Sequence, residues 1–190
     1  LMPKSTREIG LTGGEPTLAG SGFLEILRSL KNHLPHTAVH VLTNGRAFTN
    51  PSLCESIAQI DISNLMLGIP LYSSDPSVHN FVVQAEGAFD ETVRGIIALK
   101  QLGIKVEVRI VLHRYTIPGL IDLAEFIVKN LTFVDHIAFM GLEAMGFAKS
   151  NWDDLWIHPR EYSSTLERAC RVAARSGNRV SVYNLPLCWI

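Results

Sequence analysis

The sequence contains few cysteines, no block of basic residues and no long apolar run. Its three cysteines, Cys54, Cys170 and Cys188, are far apart in the 190-residue chain and have neither zinc-finger nor Cys-x-x-Cys spacing, which excludes a disulfide framework. The formal net charge is -1, which argues against a charge-driven contact with nucleic acid or anionic lipid. The apolar runs are shorter than the roughly 18 residues that a membrane span requires, and the first residues lack a signal-peptide pattern. We therefore expect a cytosolic protein that binds neither nucleic acid nor membrane.

The sequence does contain a regular alternation of β-rich apolar runs with segments of helical spacing. Its hydrophobic content of 47% is enough for one buried core. Strands are predicted at residues 8–12, 38–42, 65–71, 106–112, 136–140 and 180–183. Helices are predicted at residues 22–33, 51–59, 89–102, 118–130 and 159–176. The strand segments are nearly continuous apolar runs, which is typical of a parallel sheet covered by helices.

This order of elements predicts a single α/β domain over residues 1–190, in which right-handed crossovers connect successive strands. Six strands are too few for the closed eight-stranded barrel. We therefore expect a partial (β/α)6-type TIM barrel with parallel strands and outer helices. Because the chain opens almost directly on a strand and stops soon after another, we also expect a fragment of a longer protein.

A candidate site lies at the carboxyl ends of the predicted strands, where ligands bind in parallel α/β folds. The first strand is followed by Gly13-Gly14-Glu15-Pro16 and the second ends at Thr43-Asn44-Gly45. Glycine lets a ligand touch the main chain, and proline restricts the preceding residue to an extended geometry. This turn offers acceptors and a fixed carboxylate rather than a lysine, so it suits a ligand ammonium. The alternative is a tight turn whose glutamate is only solvated.

These residues resemble the signature of the radical S-adenosylmethionine (radical SAM) enzymes, in which the Gly-Gly-Glu-Pro tetrapeptide takes the amino group of S-adenosylmethionine. The resemblance covers residues 8–146, and residues 147–190 would be a last helix and strand that lead to a C-terminal extension. Residues 106–112 are similar to the fifth strand of the family, and residues 137–146 to its sixth strand and glycine-containing turn. The tetrapeptide and Thr43-Asn44-Gly45 in the correct order are more specific than either motif alone.

The resemblance implies a set of cofactor-binding residues but identifies no catalytic residue. Glu15, with Gly13 and Gly14 and stiffened by Pro16, would orient the ammonium, and Arg109 would neutralise the carboxylate. Asn44 and Ser73 would contact the methionine or ribose portion, Thr43 would be a further cofactor-binding residue, and Gly141 would lie near the adenine. The alternatives are an edge-strand arginine facing solvent at Arg109 and a plain turn at Asn44-Gly45.

The family's Cys-x-x-x-Cys-x-x-Cys loop, which holds a [4Fe–4S] cluster, is absent from this sequence. In family order that loop precedes the second strand, so the resemblance implies that the cluster ligands lie upstream and that this chain alone does not hold the cluster. In the family, an electron from the cluster cleaves S-adenosylmethionine into methionine and a 5′-deoxyadenosyl radical, which abstracts hydrogen from the substrate. A reductant such as flavodoxin or ferredoxin is implied as a partner.

Residues 69–76, 79–80 and 87–90 resemble a group of radical enzymes that modify peptides. The pattern is similar to the maturases of the His-Xaa-Ser system, with residues 183–188 as a Tyr-Asn-x-x-Leu-Cys-like segment. A peptide or small-protein substrate is therefore implied, and Cys188 would be a weak candidate ligand of an auxiliary cluster. A buried free thiol is the alternative for Cys188.

Two other functional interpretations remain open. The chain could be a non-catalytic barrel remnant that binds S-adenosylmethionine or a partner protein, or a different barrel enzyme that binds an amine-bearing metabolite through Glu15. Several aromatic and imidazole side chains also have two interpretations. His79 is either near the substrate or structural, and Trp152 and Trp156 either contact a peptide or pack on the sheet.

Overall fold

The computed structural model describes residues 2–186. Cys188, proposed above as a cluster ligand, therefore lies outside the described residues. Within them the strands are β1 (Glu8–Leu11), β2 (Ala38–Leu42), β3 (Leu65–Pro70), β4 (Lys105–Leu112), β5 (His136–Gly141) and β6 (Arg179–Tyr183). The strands form one sheet in the order β1-β2-β3-β4-β5-β6. Because β1 and β6 are the two ends of this order, the sheet is open, and the predicted α/β class with parallel strands is confirmed.

The helices connect these strands in sequence. They are α1 (Ser21–His33), α2 (Pro51–Ile60), α3 (Pro76–Val83), α4 (Ala88–Gln101), α5 (Leu120–Asn130), α6 (Gly146–Ser150), α7 (Trp152–Leu155) and α8 (Pro159–Arg175). Short 3-10 helices occupy Pro16–Ala19, Arg46–Thr49 and Ile117–Gly119. None of the helices within residues 2–186 is both long and apolar enough to cross a bilayer.

The five predicted helices are present, but the sequence pattern does not predict α3, α6 and α7. These three helices have eight, five and four residues, which is too short for a clear apolar period. The start of α3 nevertheless carries a local signal. Asp75 caps the helix by accepting from the Ser77 amide at 2.8 Å, and Pro76 occupies the first turn, a combination typical of a helix N-terminus.

The chain divides into two compact units. The first comprises the described residues up to Ile69 together with Asp90–Glu107, and the second comprises Pro70–Phe89 together with the described residues from Val108 onward. In the first unit, β1, β2 and β3 are parallel. The alternate residues Val39 and Val41 are fully buried, and α1 and α2 bury apolar side chains of their own. This periodicity of two is that of a strand with one helix-covered face.

The second unit has the same layered construction. β5 and β6 pair in parallel, and α5 packs against α8. The buried side chains of α8 recur every three or four residues, which is the spacing of a helix with one face on the core. They are Pro159, Tyr162, Leu166, Ala169 and Ala173.

Within the first unit, α4 contacts the loop that follows β2 through a glycine. A Cβ atom on Gly95 would lie 2.1 Å from the carbonyl oxygen of Gly45. The Thr92 hydroxyl donates to the carbonyl of Asn44 at 3.2 Å, and Arg46 pairs with Glu91 at 2.5 Å. Gly45 itself has a φ of 80°, which favours glycine. This close contact fixes the position of the loop in which Thr43 and Asn44 lie.

We predict that Gly95→Ala destabilises the protein, although alanine is the better helix former. The added methyl group meets backbone that cannot turn aside, and such overpacking costs about 1–3 kcal/mol. Gly22 of α1 is the matched control because its added Cβ would have only one neighbour, at 3.9 Å. Gly22→Ala should therefore raise the free energy of unfolding by about 0.4–1 kcal/mol. Urea denaturation measures both variants, and equal effects would contradict the close contact.

Candidate functional site

The site in the first unit is built around Glu15, which follows β1. Its backbone is extended, with φ -135° and ψ 110°, as the following Pro16 predicts. It also caps the 3-10 helix Pro16–Ala19. Oε1 of its carboxylate accepts from the amide of Thr17 at 3.1 Å and from the Thr17 hydroxyl at 2.7 Å. The turn after β1 therefore holds the Glu15 side chain through Thr17.

The same carboxylate is also held by the loop that follows β2. The Thr43 hydroxyl donates to Oε1 at 2.7 Å, and the Asn44 amide donates to Oε2 at 2.7 Å. Thr43 is buried, at 4% exposure. These distances are in the range of strong hydrogen bonds to an ionised group. The alternative of a merely solvated Glu15 is therefore wrong.

The two carboxylate oxygens are used unequally. From the described residues 2–186, Oε1 accepts three hydrogen bonds, whereas Oε2 accepts one, from the Asn44 amide. Each carboxylate oxygen offers about two lone-pair sites, so Oε2 keeps acceptor capacity and Oε1 does not. The arrangement suits one further donor at Oε2, in a direction fixed by the four existing bonds. Sequence reasoning found Glu15 and Thr43 but missed Thr17, whose only signal is a hydroxyl two residues after the acid.

Gly13 and Gly14 are exposed, and the chain itself does not require glycine at either position. Neither has a φ in the left-handed region, so the conformational freedom invoked from the sequence is not used. A Cβ atom on either would also have no neighbour within 4 Å in the part of the chain that the structure describes. What these two residues provide is bare main chain beside the fixed carboxylate.

The side chain of Asn44 is used within its own loop. Its Oδ1 accepts from the Arg46 amide at 3.0 Å, and the Gly45 amide donates to the Thr43 hydroxyl at 3.2 Å. These are the bonds of a tight Asx-type turn. The plain-turn alternative therefore describes the Asn44 side chain, while its backbone amide holds Glu15.

The other predicted residues lie in the second unit. Ser73 is buried, and its hydroxyl accepts from the Asp75 amide at 3.0 Å, which stabilises the turn before α3. Arg109 lies on β4, an interior strand of the sheet order, and is half-buried. The edge-strand alternative for Arg109 is therefore wrong. A Cβ atom on Gly141 would lie 2.2 Å from the carbonyl oxygen of Asn184, so packing within the chain already accounts for that glycine.

An aromatic cluster surrounds Tyr72 in the second unit. Its ring centroid is 5.7 Å from those of His79 and His113, and the ring of Phe89 lies 5.8 Å from that of His79. The Tyr72 amide donates to Nδ1 of His79 at 3.3 Å. Since His79 is fully buried in these contacts, its structural interpretation is the one that the geometry favours. Burial raises the pKa of the Tyr72 hydroxyl, and the nearby Arg109 cation opposes part of that rise.

A family profile described as the radical SAM superfamily matches residues 2–127. The chain belongs to the radical SAM superfamily. Comparison with curated protein sequences gave no significant match.

Solved structures of radical SAM proteins and related chains share the fold. SuiB of Streptococcus suis bound to precursor peptide SuiA has a TM-score of 0.72 at 12% identity, covering 96% of this chain and 39% of SuiB. The anSMEcpe protein with bound AdoMet and Kp18Cys peptide has a TM-score of 0.68 at 19% identity, covering 92% and 49%. Coproporphyrinogen III oxidase (HemN) of Escherichia coli, described as a radical SAM enzyme, has a TM-score of 0.65 at 12% identity, covering 90% and 40%. The chain thus spans half or less of each neighbour.

The two described thiols do not suit the [4Fe–4S] cluster that radical SAM membership implies. Cys54 is buried and its Sγ donates to the Phe48 carbonyl at 3.2 Å, and burial raises its pKa. Burial also raises the pKa of Cys170, to about 11. Cluster ligands are thiolates. Within residues 2–186, no three His, Cys, Asp or Glu side chains come close enough to hold a metal ion.

We predict that Cys54→Ala and Cys170→Ala leave the iron and labile sulfide content of the complete protein unchanged. Both thiols are protonated at neutral pH, and a protonated thiol is a poor ligand. Chemical assays of iron and sulfide after anaerobic reconstitution measure the content. Loss of iron in either variant, at unchanged folding by circular dichroism, would contradict this assignment.

A second prediction concerns the stability of the protein at acid pH. Burial lowers the pKa of His113 to about 4, whereas an unfolded histidine titrates near 6.5. The unfolded chain binds the proton first, so the free energy of unfolding is highest above pH 6.5 and falls as the pH drops towards 4. The loss is at most about 3.4 kcal/mol, at about 1.36 kcal/mol for each unit between a pKa of 6.5 and one of about 4.

Urea denaturation between pH 4 and 7 measures this loss. His113→Gln, which cannot be protonated, should flatten the dependence in that window. His36 is exposed, so His36→Gln is the matched control. It should leave the pH dependence of the free energy of unfolding unchanged. An unaltered pH dependence in His113→Gln would refute the assignment.

Proposed function

We propose that this chain is part of an enzyme that reductively cleaves S-adenosylmethionine and uses the radical to abstract hydrogen from a peptide. The observation that carries the proposal is the carboxylate of Glu15, fixed by four hydrogen bonds and open to one more donor at Oε2. A ligand ammonium is the group that this geometry fits, because it donates and carries the complementary charge.

Gly13 and Gly14 support the same ligand. Among residues 2–186, no atom lies within 4 Å of a Cβ atom placed on either glycine. A ligand that lies on the exposed backbone would therefore explain glycine at both positions. The carbonyl groups of this turn accept hydrogen bonds from the same ammonium. Pro16 keeps Glu15 extended and so keeps its carboxylate directed at the loop after β2.

Arg109 is the residue of the second unit that we assign to the carboxylate of the amino acid portion. Its guanidinium is permanently charged and its planar fork matches a carboxylate. Asn44, Ser73 and Gly141 stay proposals for the methionine, ribose and adenine contacts. The hydroxyl of Ser73 and the side chain of Asn44 already have partners in the chain, so any contact from them uses their remaining hydrogen-bonding capacity.

The reaction needs a group that the described residues do not hold. When bound, a reduced [4Fe–4S] cluster supplies the electron that cleaves the sulfonium bond, giving the 5′-deoxyadenosyl radical. We propose that its ligands lie outside the described part of this protein and that a flavodoxin or ferredoxin reduces it. The residues of this chain bind and orient S-adenosylmethionine.

A peptide substrate is supported by the neighbours of this fold. SuiB was solved with a precursor peptide and anSMEcpe with the Kp18Cys peptide. The sequence resemblance to His-Xaa-Ser maturases points to the same substrate class. We therefore propose a peptide or small protein as the substrate.

We predict that Glu15→Gln lowers the affinity of the complete protein for S-adenosylmethionine by at least about tenfold, since a hydrogen bond to a charged group is worth 1.5–3 kcal/mol. Affinity for 5′-methylthioadenosine, which lacks the ammonium, should stay within about twofold. Isothermal titration calorimetry of both ligands measures the difference.

The control variant is Thr17→Val, which removes one hydrogen bond to the same carboxylate but keeps its charge. Comparing the two variants separates the effect of losing the Glu15 charge from the effect of loosening the turn that holds it. If Thr17→Val weakened S-adenosylmethionine binding as much as Glu15→Gln, or if Glu15→Gln weakened both ligands equally, the ammonium role of Glu15 would fail.

A further inference from the structure

The second unit contains a cavity of about 760 Å³ that the proposed cofactor contacts do not use. Its lining comes from five segments: Tyr72 after β3, the end of α3, the end of β4 with the loop that follows it, Leu142 after β5, and the α6–α7 region. The volume is in the range of small-molecule and side-chain sites, about 300–1,000 Å³. It is therefore large enough for a bulky side chain and part of the chain that bears it.

The rim of this cavity exposes aromatic side chains. Phe147 is 89% exposed, Phe81 53% and Tyr115 39%, and the rings of Phe81 and Tyr115 are in edge contact at 5.1 Å. All three line the cavity. Exposed large apolar side chains that gather around a concavity mark an interaction site.

Tyr72 contributes a polar group to the cavity. Its side chain is half-buried, so its hydroxyl can donate to or accept from a ligand there. The neighbouring His113 is only 3% exposed, and its ring is occupied by Thr116 and by the Tyr115 amide. The hydroxyl of Tyr72 is thus one polar group available to a ligand, besides the side chains of Gln84, Asn151 and Asp154 in the lining.

The charge of the lining restricts the ligand further. Among the described residues that form the cavity, Asp154 carries the only formal charge, and neither lysine nor arginine takes part. No lining residue is a cation that would pair with a carboxylate or phosphate ligand, and Arg109, which acts on Tyr72, lies outside the lining. A cation next to an apolar group would face Asp154. The cavity therefore fits an apolar group with an adjacent positive charge.

We propose that this cavity binds a bulky apolar side chain of the substrate peptide, with a neighbouring lysine or arginine of that peptide facing Asp154. The assignment to a substrate peptide rests on the proposed function. Arg109, proposed above for the cofactor carboxylate, is close enough to Tyr72 to influence its hydroxyl. The cavity wall and the cofactor residue of the second unit are therefore neighbours, and an apolar side chain held there lies beside the cofactor contact.

The test uses the complete protein and short peptides with blocked ends, a fluorescent label, a central phenylalanine and a flanking lysine. Fluorescence anisotropy measures their dissociation constants. Replacing the phenylalanine by alanine should weaken binding by about 10- to 100-fold, because a buried apolar side chain is lost. Replacing the lysine by glutamate should weaken it as well. Equal affinity for the phenylalanine and alanine peptides would overturn the proposal.

Variants of the protein test the location. Ala148 lines the cavity and Ala144 is exposed outside the lining, so Ala148→Trp should reduce peptide affinity at least about tenfold, as blocking the site removes that burial, whereas Ala144→Trp should not. Asp154→Asn should reduce affinity for the lysine peptide about two- to fivefold at low salt. Asp153→Asn, an exposed neighbour on the same helix, is its matched control. An unchanged affinity in Ala148→Trp, or equal effects of the two aspartate variants, would overturn the proposal.

The peptide measurement needs neither S-adenosylmethionine nor a cluster, so the two proposals can fail separately. Circular dichroism of every variant reports folding, and S-adenosylmethionine affinity is measured alongside it. If the cavity variants weaken peptide binding as expected but the Glu15→Gln test fails, the peptide site is supported and the role of Glu15 in binding S-adenosylmethionine is refuted. Normal S-adenosylmethionine binding without preference for the phenylalanine peptide would remove the cavity alone.

Discussion

The carboxylate of Glu15 joins the ends of two neighbouring strands, and the geometry of the candidate site depends on it. Thr17 holds it from the turn after β1, while Thr43 and Asn44 hold it from the loop after β2. A free surface glutamate samples many rotamers and must lose that entropy when a ligand binds. Here the chain has already fixed the side chain, so a ligand meets an acceptor whose direction is set in advance. The same bonds make Glu15 part of the fold, which is why a variant that only loosens the turn is needed to isolate its charge.

The loop after β2, which holds Glu15, is itself held in position by α4. The contact of Gly95 with Gly45 leaves no room for a methyl group, and Thr92 bonds to the carbonyl of Asn44. A tightly packed helix thus limits the movement of the Asn44 amide, one of the four donors. The packing of α4 against this loop therefore contributes to the position of the Glu15 carboxylate. Protein interiors are too densely packed for a shift of the helix to be absorbed without moving the loop.

The sequence was sufficient to predict the six strands, the five longer helices and the Gly-Gly-Glu-Pro turn, since each rests on local periodicity or on turn chemistry. It did not predict the bonds of Thr43 and Asn44 to Glu15, because these depend on the register of β1 against β2, which brings together residues 28 and 29 positions apart. Gly141 is a second case in which a contact between residues distant in sequence could not be predicted. A glycine interpreted as a ligand contact also packs against Asn184, and nothing local to residue 141 reveals that neighbour. The cavity was missed because its lining comes from five separate segments, two of which contain short helices.

The two carboxylates proposed to meet cations work by different physics. Glu15 is partly buried and hydrogen-bonded on both oxygens, so the proposed interaction with an ammonium would be short-ranged, directional and little affected by salt. Asp154 is exposed, so its attraction for a peptide cation would be weak and screened, and the burial of an apolar side chain would have to provide most of the affinity at the cavity. Under the two proposals, specificity for the cofactor would rest on one preorganised polar contact, whereas specificity for a peptide would rest on shape and apolar area. This division suits a protein that binds one invariant cofactor and a substrate recognised by its side chains.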